Sequence, residues 1–173
     1  MALQALGGAL VYVGFVLVAN GLWILGKVNA KDVLMLNLFT GVVTFASSFY
    51  SLIVNGSALA WAQGLLFSFT YLWIASNIHR GIQDQRAFGW YCLFVAITAA
   101  ISGALTLPEA LTSTGFTLFE YSYLTFLWWL WAALWASFWV LLVLKRGTTP
   151  IAWFTIATGI LSYVPAFAYM LRG

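Results

Sequence analysis

Charge is what this chain of 173 residues has least of: four acidic and seven basic side chains, 6% of the whole. Soluble domains carry about a quarter. A soluble fold is therefore excluded, and the 64% hydrophobic content is that of an integral membrane protein. The net charge of +3 is scattered over short connections rather than gathered in a patch, which excludes a nucleic-acid surface. A single cysteine, Cys92, excludes an internal disulfide framework, and a lone thiol in an apolar stretch is ordinarily a small packing residue. The single histidine, His79, stands beside Arg80, where a basic group suits the last turn of a helix. Without partners it builds neither a metal site nor a catalytic one. No Asp, Glu, Lys, Arg or His falls clearly within an apolar stretch. Proton relays, ion channels and ion-coupled transporters need intramembrane charge, broken helices, or both. Hydrolysis in the membrane needs a nucleophile with a base or a metal. We expect no enzyme, no cofactor and no metal.

The long uncharged runs give the spans, each needing about 20 residues. Helix 1 is expected over Leu6–Gly26, and the uncharged run 33–78 is long enough for two more. The turn-forming Asn55-Gly56-Ser57 divides it into helix 2 (Asp32–Val54) and helix 3 (Ala58–Asn77). Helix 4 runs from Ala87 to Leu107, ended by Pro108. Helix 5 covers Tyr121–Leu144, and helix 6 begins after Thr148-Thr149-Pro150 and reaches Met170. Lys27, Lys31, Arg80, Arg86, Lys145 and Arg146 all lie in the odd-to-even connections; Arg172 lies on the other side, as do Glu109 and Glu120, read as loop residues between helices 4 and 5. The positive-inside rule then places the basic loops in the cytoplasm and both termini outside.

The chain also repeats. Leu38-Phe39-Thr40-Gly41 matches Leu93-Phe94-Val95-Ala96 and Trp153-Phe154-Thr155-Ile156. This suggests three hairpins inserted in one orientation, helix 1 with 2, 3 with 4 and 5 with 6, around an axis along the membrane normal. The fold class is all-α, one six-helix transmembrane domain over 1–173.

What is abundant is tryptophan: five of ten lie between Trp128 and Trp139. At about 100° per residue, Trp128, Trp131, Trp135 and Trp139 share a strip about 80° wide and roughly 16 Å long. Such a ladder is no interfacial belt, since belts sit at the two membrane boundaries; it faces protein or a cavity. Helix 1 carries Gly7, Gly14 and Gly21 at heptad spacing, a packing seam. Another face presents Leu10, Val13, Leu17 and Asn20. Asn20 reads either as an interhelical hydrogen bond or as a contact for a solute. On helix 3, Phe67 and Tyr71 share a face, with Gly64 giving room. The even helices carry small polar residues, among them Asn37, Thr40, Thr44, Ser51, Ser102, Thr155, Thr158 and Ser162. Close packing, with hydroxyls bonded to their own backbone, is the favoured reading of these.

The chemistry on offer is neutral: indole N–H groups, a phenol, an amide, hydroxyls and π faces. It suits a small uncharged solute and repels an ion, which would lose its water against apolar walls without compensation. A flat amide or urea could slide between aromatic faces through weak contacts. A coupled small-solute transporter and a structural subunit without a pore are the alternatives.

At these residues the sequence resembles the AmiS/UreI family of bacterial urea and short-chain amide channels, over nearly its whole length. The resemblance is carried by Leu10-Val11-Tyr12-Val13-Gly14 with Asn20-Gly21, by Gly64-Leu65-Leu66-Phe67-Ser68-Phe69-Thr70-Tyr71-Leu72, and by Trp90-Tyr91-Cys92-Leu93-Phe94-Val95-Ala96-Ile97. The tryptophan helix and Thr158-Gly159-Ile160-Leu161 with Pro165-Ala166 complete it. It implies a six-helix protomer with its own pore, a homo-hexameric ring in membrane lipid, and a functional link to a cytoplasmic urease or amidase. It also implies that the pore is narrowed by Leu10, Val13 and Leu17, by Phe67 and Tyr71, and by Trp131, Leu134 and Trp135, with Trp128 flanking. Two departures stand out. Acid-gated members carry a long histidine-rich loop between helices 2 and 3, here only Asn55–Ala58. They also place a carboxylate where this chain has Thr158. With no outer histidine to titrate, a channel that is not pH-gated is expected.

Overall fold

The computed structural model describes residues 2–171, with side chains over 4–171; Arg172 lies outside the described residues. Its helices are α1 (Ala2–Ile24), α2 (Ala30–Ile53), α3 (Ala58–His79), α4 (Arg86–Thr112), α5 (Gly115–Leu142), α6 (Thr148–Tyr163) and α7 (Ala166–Leu171). Six spans are long and apolar enough to cross a membrane, α6 and α7 together making the last. They end where local chemistry dictates. Gly26 and Gly81 adopt positive φ (70° and 64°), and Lys27 N–H and Ile82 N–H reach back to the Leu22 and Asn77 carbonyls at 2.9 Å, closing α1 and α3 with Schellman motifs. Asn29 caps α2 by accepting from Lys31 N–H at 2.9 Å, and Ser57 caps α3 by accepting from Ala60 N–H at 3.2 Å.

Three boundaries differ from expectation. Helix α4 passes through Pro108 to Thr112. The proline forfeits only the bond its own N–H would make, one turn from the helix end, and Thr112 Oγ1 donates to the Pro108 carbonyl at 2.8 Å. Glu109 therefore lies in α4, and because α5 starts at Gly115 rather than Tyr121 Glu120 is helical too, and buried. The last span starts at Thr148 with Pro150 inside its first turn, where a missing N–H costs nothing. It is interrupted at Val164-Pro165.

The described chain divides into two compact units, 2–85 with 147–171, and 86–146. In the first, α2 packs most extensively on α3 and α1 on α6, more so than α1 on α2; in the second, α4 packs on α5. The most extensive pairs are therefore 2 with 3 and 1 with 6 in the first unit, and 4 with 5 in the second. The reason is side-chain size. A Cβ on Gly14 would meet the Gly159 carbonyl oxygen at 2.9 Å, one on Gly21 the Ala152 oxygen at 2.7 Å, and one on Gly7 the Ala166 oxygen at 2.6 Å. Backbone lies against backbone along the whole glycine heptad, as that spacing predicts. Lipid supplies no hydrophobic drive between helices, so such close approach is what holds them. Gly64 faces Ser48 of α2 and Gly41 faces Leu72 of α3, so Gly64 serves this seam and does not give room to the aromatics.

Burial recurs along the chain in register. Asn37, Thr40, Gly41, Thr44 and Ser48 are buried in α2; so are Cys92, Val95, Ala96, Ala99 and Gly103 in α4, and Thr155, Thr158, Gly159, Ser162 and Ala166 in the last span. Exposed positions fall in the same register: Phe39, Val42 and Phe45; Phe94, Ile97 and Ala100; Ala157, Ile160 and Tyr163. Phe39 thus corresponds to Phe94, as expected, but to Ala157 rather than Phe154. The exposed positions form apolar faces.

Candidate functional site: the buried stripes of α1, α3 and α5

The odd helices share a second register. Ala9, Leu10, Val13, Val16 and Leu17 of α1 are buried in the same spacing as Phe67, Ser68, Tyr71, Ile74 and Ala75 of α3 and Leu127, Trp128, Trp131, Leu134 and Trp135 of α5. Each is an i, i+1, i+4, i+7, i+8 pattern, one face of a helix. Leu10, Val13, Leu17, Phe67, Tyr71, Trp128, Trp131, Leu134 and Trp135 lie on this shared stripe, with Val13, Tyr71 and Trp131 at its equivalent centre, whereas Asn20 and Thr158 do not. Exposure there is 1% for Val13, 2% for Tyr71 and 1% for Trp131. These are neutral groups offering π faces, aliphatic walls and the polar N–H or O–H of indole and phenol.

In the second unit Trp128 and Trp131 meet edge to face, ring centroids 5.2 Å apart at 89°, an arrangement that fixes both planes. Leu134 and Trp135 continue the buried face. Trp139 does not: it is half-buried, and its ring lies 5.8 Å from that of Trp90 in α4. Trp129 is 46% exposed and its indole edge covers Gly103. The ladder thus comprises Trp128, Trp131 and Trp135, and Trp139 belongs to a different aromatic pair.

In the first unit the polar groups are almost wholly consumed by the protein. Asn20 Nδ2 donates to Asn37 Oδ1 at 3.0 Å, and Asn37 Nδ2 donates to Asn20 Oδ1 at 2.7 Å and to the Val33 carbonyl at 2.9 Å. Of the two readings of Asn20, the interhelical bond is the one observed. Its partner was visible in the sequence only as one polar residue among many in helix 2. A second amide in an otherwise apolar span is the signal that pairs them. Hydroxyls behave as expected: Thr44, Ser48, Thr155 and Ser162 donate to the carbonyls of Thr40, Thr44, Ile151 and Thr158 at 2.7, 2.6, 2.7 and 2.8 Å. Ser68 instead crosses from α3 to the Gly41 carbonyl of α2 at 2.9 Å.

Thr158 is the exception. It is fully buried, and its Oγ1 has no hydrogen-bond partner. An unmet buried hydroxyl costs about 1–3 kcal/mol. Its neighbour Gly159 lies against α1, where a Cβ would meet the Gly14 carbonyl oxygen at 2.7 Å and Leu17 Cβ at 3.0 Å. Thr158 is therefore one residue from the seam that carries the α1 stripe.

Among the described residues, no group of three or more His, Cys, Asp and Glu could hold a metal. Cys92 is buried within α4, and His79 is exposed in the last turn of α3.

Comparison with known proteins places these stripes in context. The family model described as AmiS/UreI family transporter matches residues 5–173. The acid-activated urea channel of Helicobacter pylori is 32% identical over 203 aligned positions that take in 96% of this chain and 98% of the channel. A Mycolicibacterium smegmatis protein, named as a transporter of amidate substrates, is 34% identical over 93% of this chain and 74% of its own. Among solved structures, the cryoEM structure of the H. pylori urea channel in its closed state matches with a TM-score of 0.82 at 31% identity, covering 96% of this chain and 97% of that one.

Proposed function

The chain belongs to the AmiS/UreI family, and from that premise we propose that it is a passive channel for urea and small aliphatic amides. It is a multi-pass membrane protein whose named relatives are channels and transporters rather than enzymes. The observation that carries the proposal is the repeated buried stripe of α1, α3 and α5: deep in three spans, uncharged throughout, and richest in indole where it is bulkiest. The stripe residues of each unit, and Thr158, are our candidate solute contacts.

The physical argument is selective exclusion. An ion entering among neutral side chains would shed its water with no compensating charge, whereas a neutral amide gives up only a few hydrogen bonds. Indole faces and edges return part of that loss through N–H over π and N–H to carbonyl contacts. Each contact is weak, and passage requires weak binding. Asn20 contributes by holding α1 to α2 and so fixing the α1 stripe.

The channel is not gated by pH. Its α2–α3 connection, Val54–Ser57, holds no titratable side chain. The alignment with the acid-activated relative spans 203 positions against the 173 residues here, so that relative carries insertions this chain lacks. A homo-hexamer in a bacterial cytoplasmic membrane, both termini outside, feeding a cytoplasmic urease or amidase, completes the proposal. The basic residues of the odd-to-even connections support the orientation.

Uptake of labelled urea and acetamide into proteoliposomes tests it. Both should equilibrate to the outside concentration, at rates unaffected by proton or sodium gradients. Accumulation driven by such a gradient would show a coupled transporter instead.

A further inference from the structure

At one end of the second unit the fold gathers Arg86, Lys145 and Arg146, and we propose that they form a binding site for the headgroup of an anionic phospholipid. The packing of α4 on α5 sets the site. A Cβ on Gly89 would meet Val143 Cγ2 at 2.6 Å and Leu142 Cβ at 3.1 Å, so the first turn of α4 lies directly on the last turn of α5. Arg86 stands one turn before Gly89, and Lys145 and Arg146 follow Val143. The three cations therefore share that end, and each is exposed.

The charge on the α5 side is uncompensated. The α1–α2 connection sets Asp32 against Lys27 and Lys31, and the α3–α4 connection sets Asp84 against Arg80 and Arg86. No acidic residue accompanies Lys145 and Arg146 between α5 and α6. Lys145 is also held at a conformational cost. Helices α1 and α3 end on Gly26 and Gly81 at positive φ, whereas α5 ends on Lys145 with φ 58°, the one non-glycine at positive φ among the described residues. A Cβ crowds the backbone in that region, and glycine is what such helix ends ordinarily use. The helix dipole would be served as well by a lysine one residue earlier, in helical backbone. A lysine in this position points to a use for its charge.

Beneath the cations the surface turns to indole. Trp90, four residues after Arg86 and so on the same face, is 56% exposed, and its ring meets that of Trp139 edge to face, with centroids 5.8 Å apart at 61°. Cations above and indoles below are the layers of a membrane–water boundary. A lipid phosphate would take charge-assisted hydrogen bonds from the basic side chains while its acyl chains cover the Trp90–Trp139 pair. A free anion would use the cations alone, so the indoles favour the lipid.

The test follows the thermal midpoint of the protein in a neutral detergent as short-chain phosphatidylglycerol, short-chain phosphatidylcholine or inorganic phosphate is added. Phosphatidylglycerol should raise the wild-type midpoint well beyond the other two, by an amount that shrinks as salt is increased. The Lys145→Gly/Arg146→Gln double variant should begin no less stable than wild type, because glycine suits the backbone there. Its apparent affinity for phosphatidylglycerol should nevertheless fall roughly 5-fold for each cation removed, about 25-fold for the pair. Arg146→Gln alone carries the test if the double variant does not fold. Lys27→Gln/Lys31→Gln, at a different connection, should keep the wild-type response. An unchanged response in the double variant overturns the site. So does an equal loss in the Lys27→Gln/Lys31→Gln protein, which would mark a diffuse charge effect. An equal gain with phosphatidylcholine or inorganic phosphate overturns the anionic headgroup as the ligand. Wild type indifferent to phosphatidylglycerol overturns the proposal and leaves the cations to an acidic protein partner.

Discussion

Asn20 and Asn37 hold each other in a closed ring of two hydrogen bonds, 3.0 and 2.7 Å long, with both side chains buried between α1 and α2. Each amide satisfies the other, and Asn37 spends its second N–H on the Val33 carbonyl. Such a pair specifies register, because sliding either helix by one residue breaks both bonds. Replacing one member strands the other, whereas replacing both by an apolar residue of similar size removes the problem. Asn20→Leu or Asn37→Leu should therefore each destabilise the protein by about 1–3 kcal/mol, with the double variant recovering much of the loss. Thermal denaturation of the four proteins in detergent gives the cycle. Single variants as stable as wild type would mean the ring carries no weight.

The α1–α6 seam makes a sharper steric prediction. Gly14→Ala puts a methyl 2.9 Å from both the Gly159 carbonyl oxygen and Tyr163 Cβ. Backbone cannot rotate away, so the helices must part, at a cost of about 1–3 kcal/mol. Gly8→Ala on the same helix has open space around its new methyl. It should be neutral or stabilising, by up to about 1 kcal/mol of helix propensity. Equal midpoints for the two variants would contradict the seam.

How far the sequence could be read follows from the same seam. The six spans were legible because charge is confined to the connections, and hydrocarbon thickness sets the span length. The shared stripe was legible in parts, as the Leu10–Val13–Leu17 face, the Phe67–Tyr71 pair and the tryptophan ladder, because burial of large side chains follows helical periodicity. Which helix lies against which was not. The closest contact is decided by where glycines meet carbonyls, and Gly14 meets Gly159, far along the chain. Pro108 looked like a helix end because a proline's cost is read locally, while the helix continues on its remaining bonds. Thr158 looked like its neighbours; only coordinates distinguish a hydroxyl bonded to its own backbone from one that is not.

Tryptophans of the ladder and tryptophans outside it should separate by function. Trp131→Ala and Trp135→Ala remove buried indoles and should alter the ranking of solutes, admitting larger amides relative to urea. Trp129→Ala, at an exposed position, should leave that ranking unchanged in protein of the same oligomeric size. Permeabilities to urea, acetamide and butyramide measured side by side decide it. Identical rankings in all three variants would remove the ladder from the solute path.

Acid should have little effect. Imidazole is the side chain whose ordinary titration falls between about pH 5 and 8. The one histidine, His79, is exposed at the end of α3, and Glu120 is the carboxylate buried within α5. Urea permeability of wild type and of Glu120→Gln should be equally flat across that interval. A several-fold rise on acidification, abolished by Glu120→Gln, would identify a sensor in α5 and contradict an ungated channel.

The most direct test of the whole account is stopped-flow light scattering on proteoliposomes under an inward gradient of urea, acetamide or glycerol, set against empty vesicles of the same lipid. A passive amide channel predicts urea and acetamide entry well above the empty vesicles without any ion gradient, with glycerol behind both. Urea and acetamide entry indistinguishable from empty vesicles would contradict it.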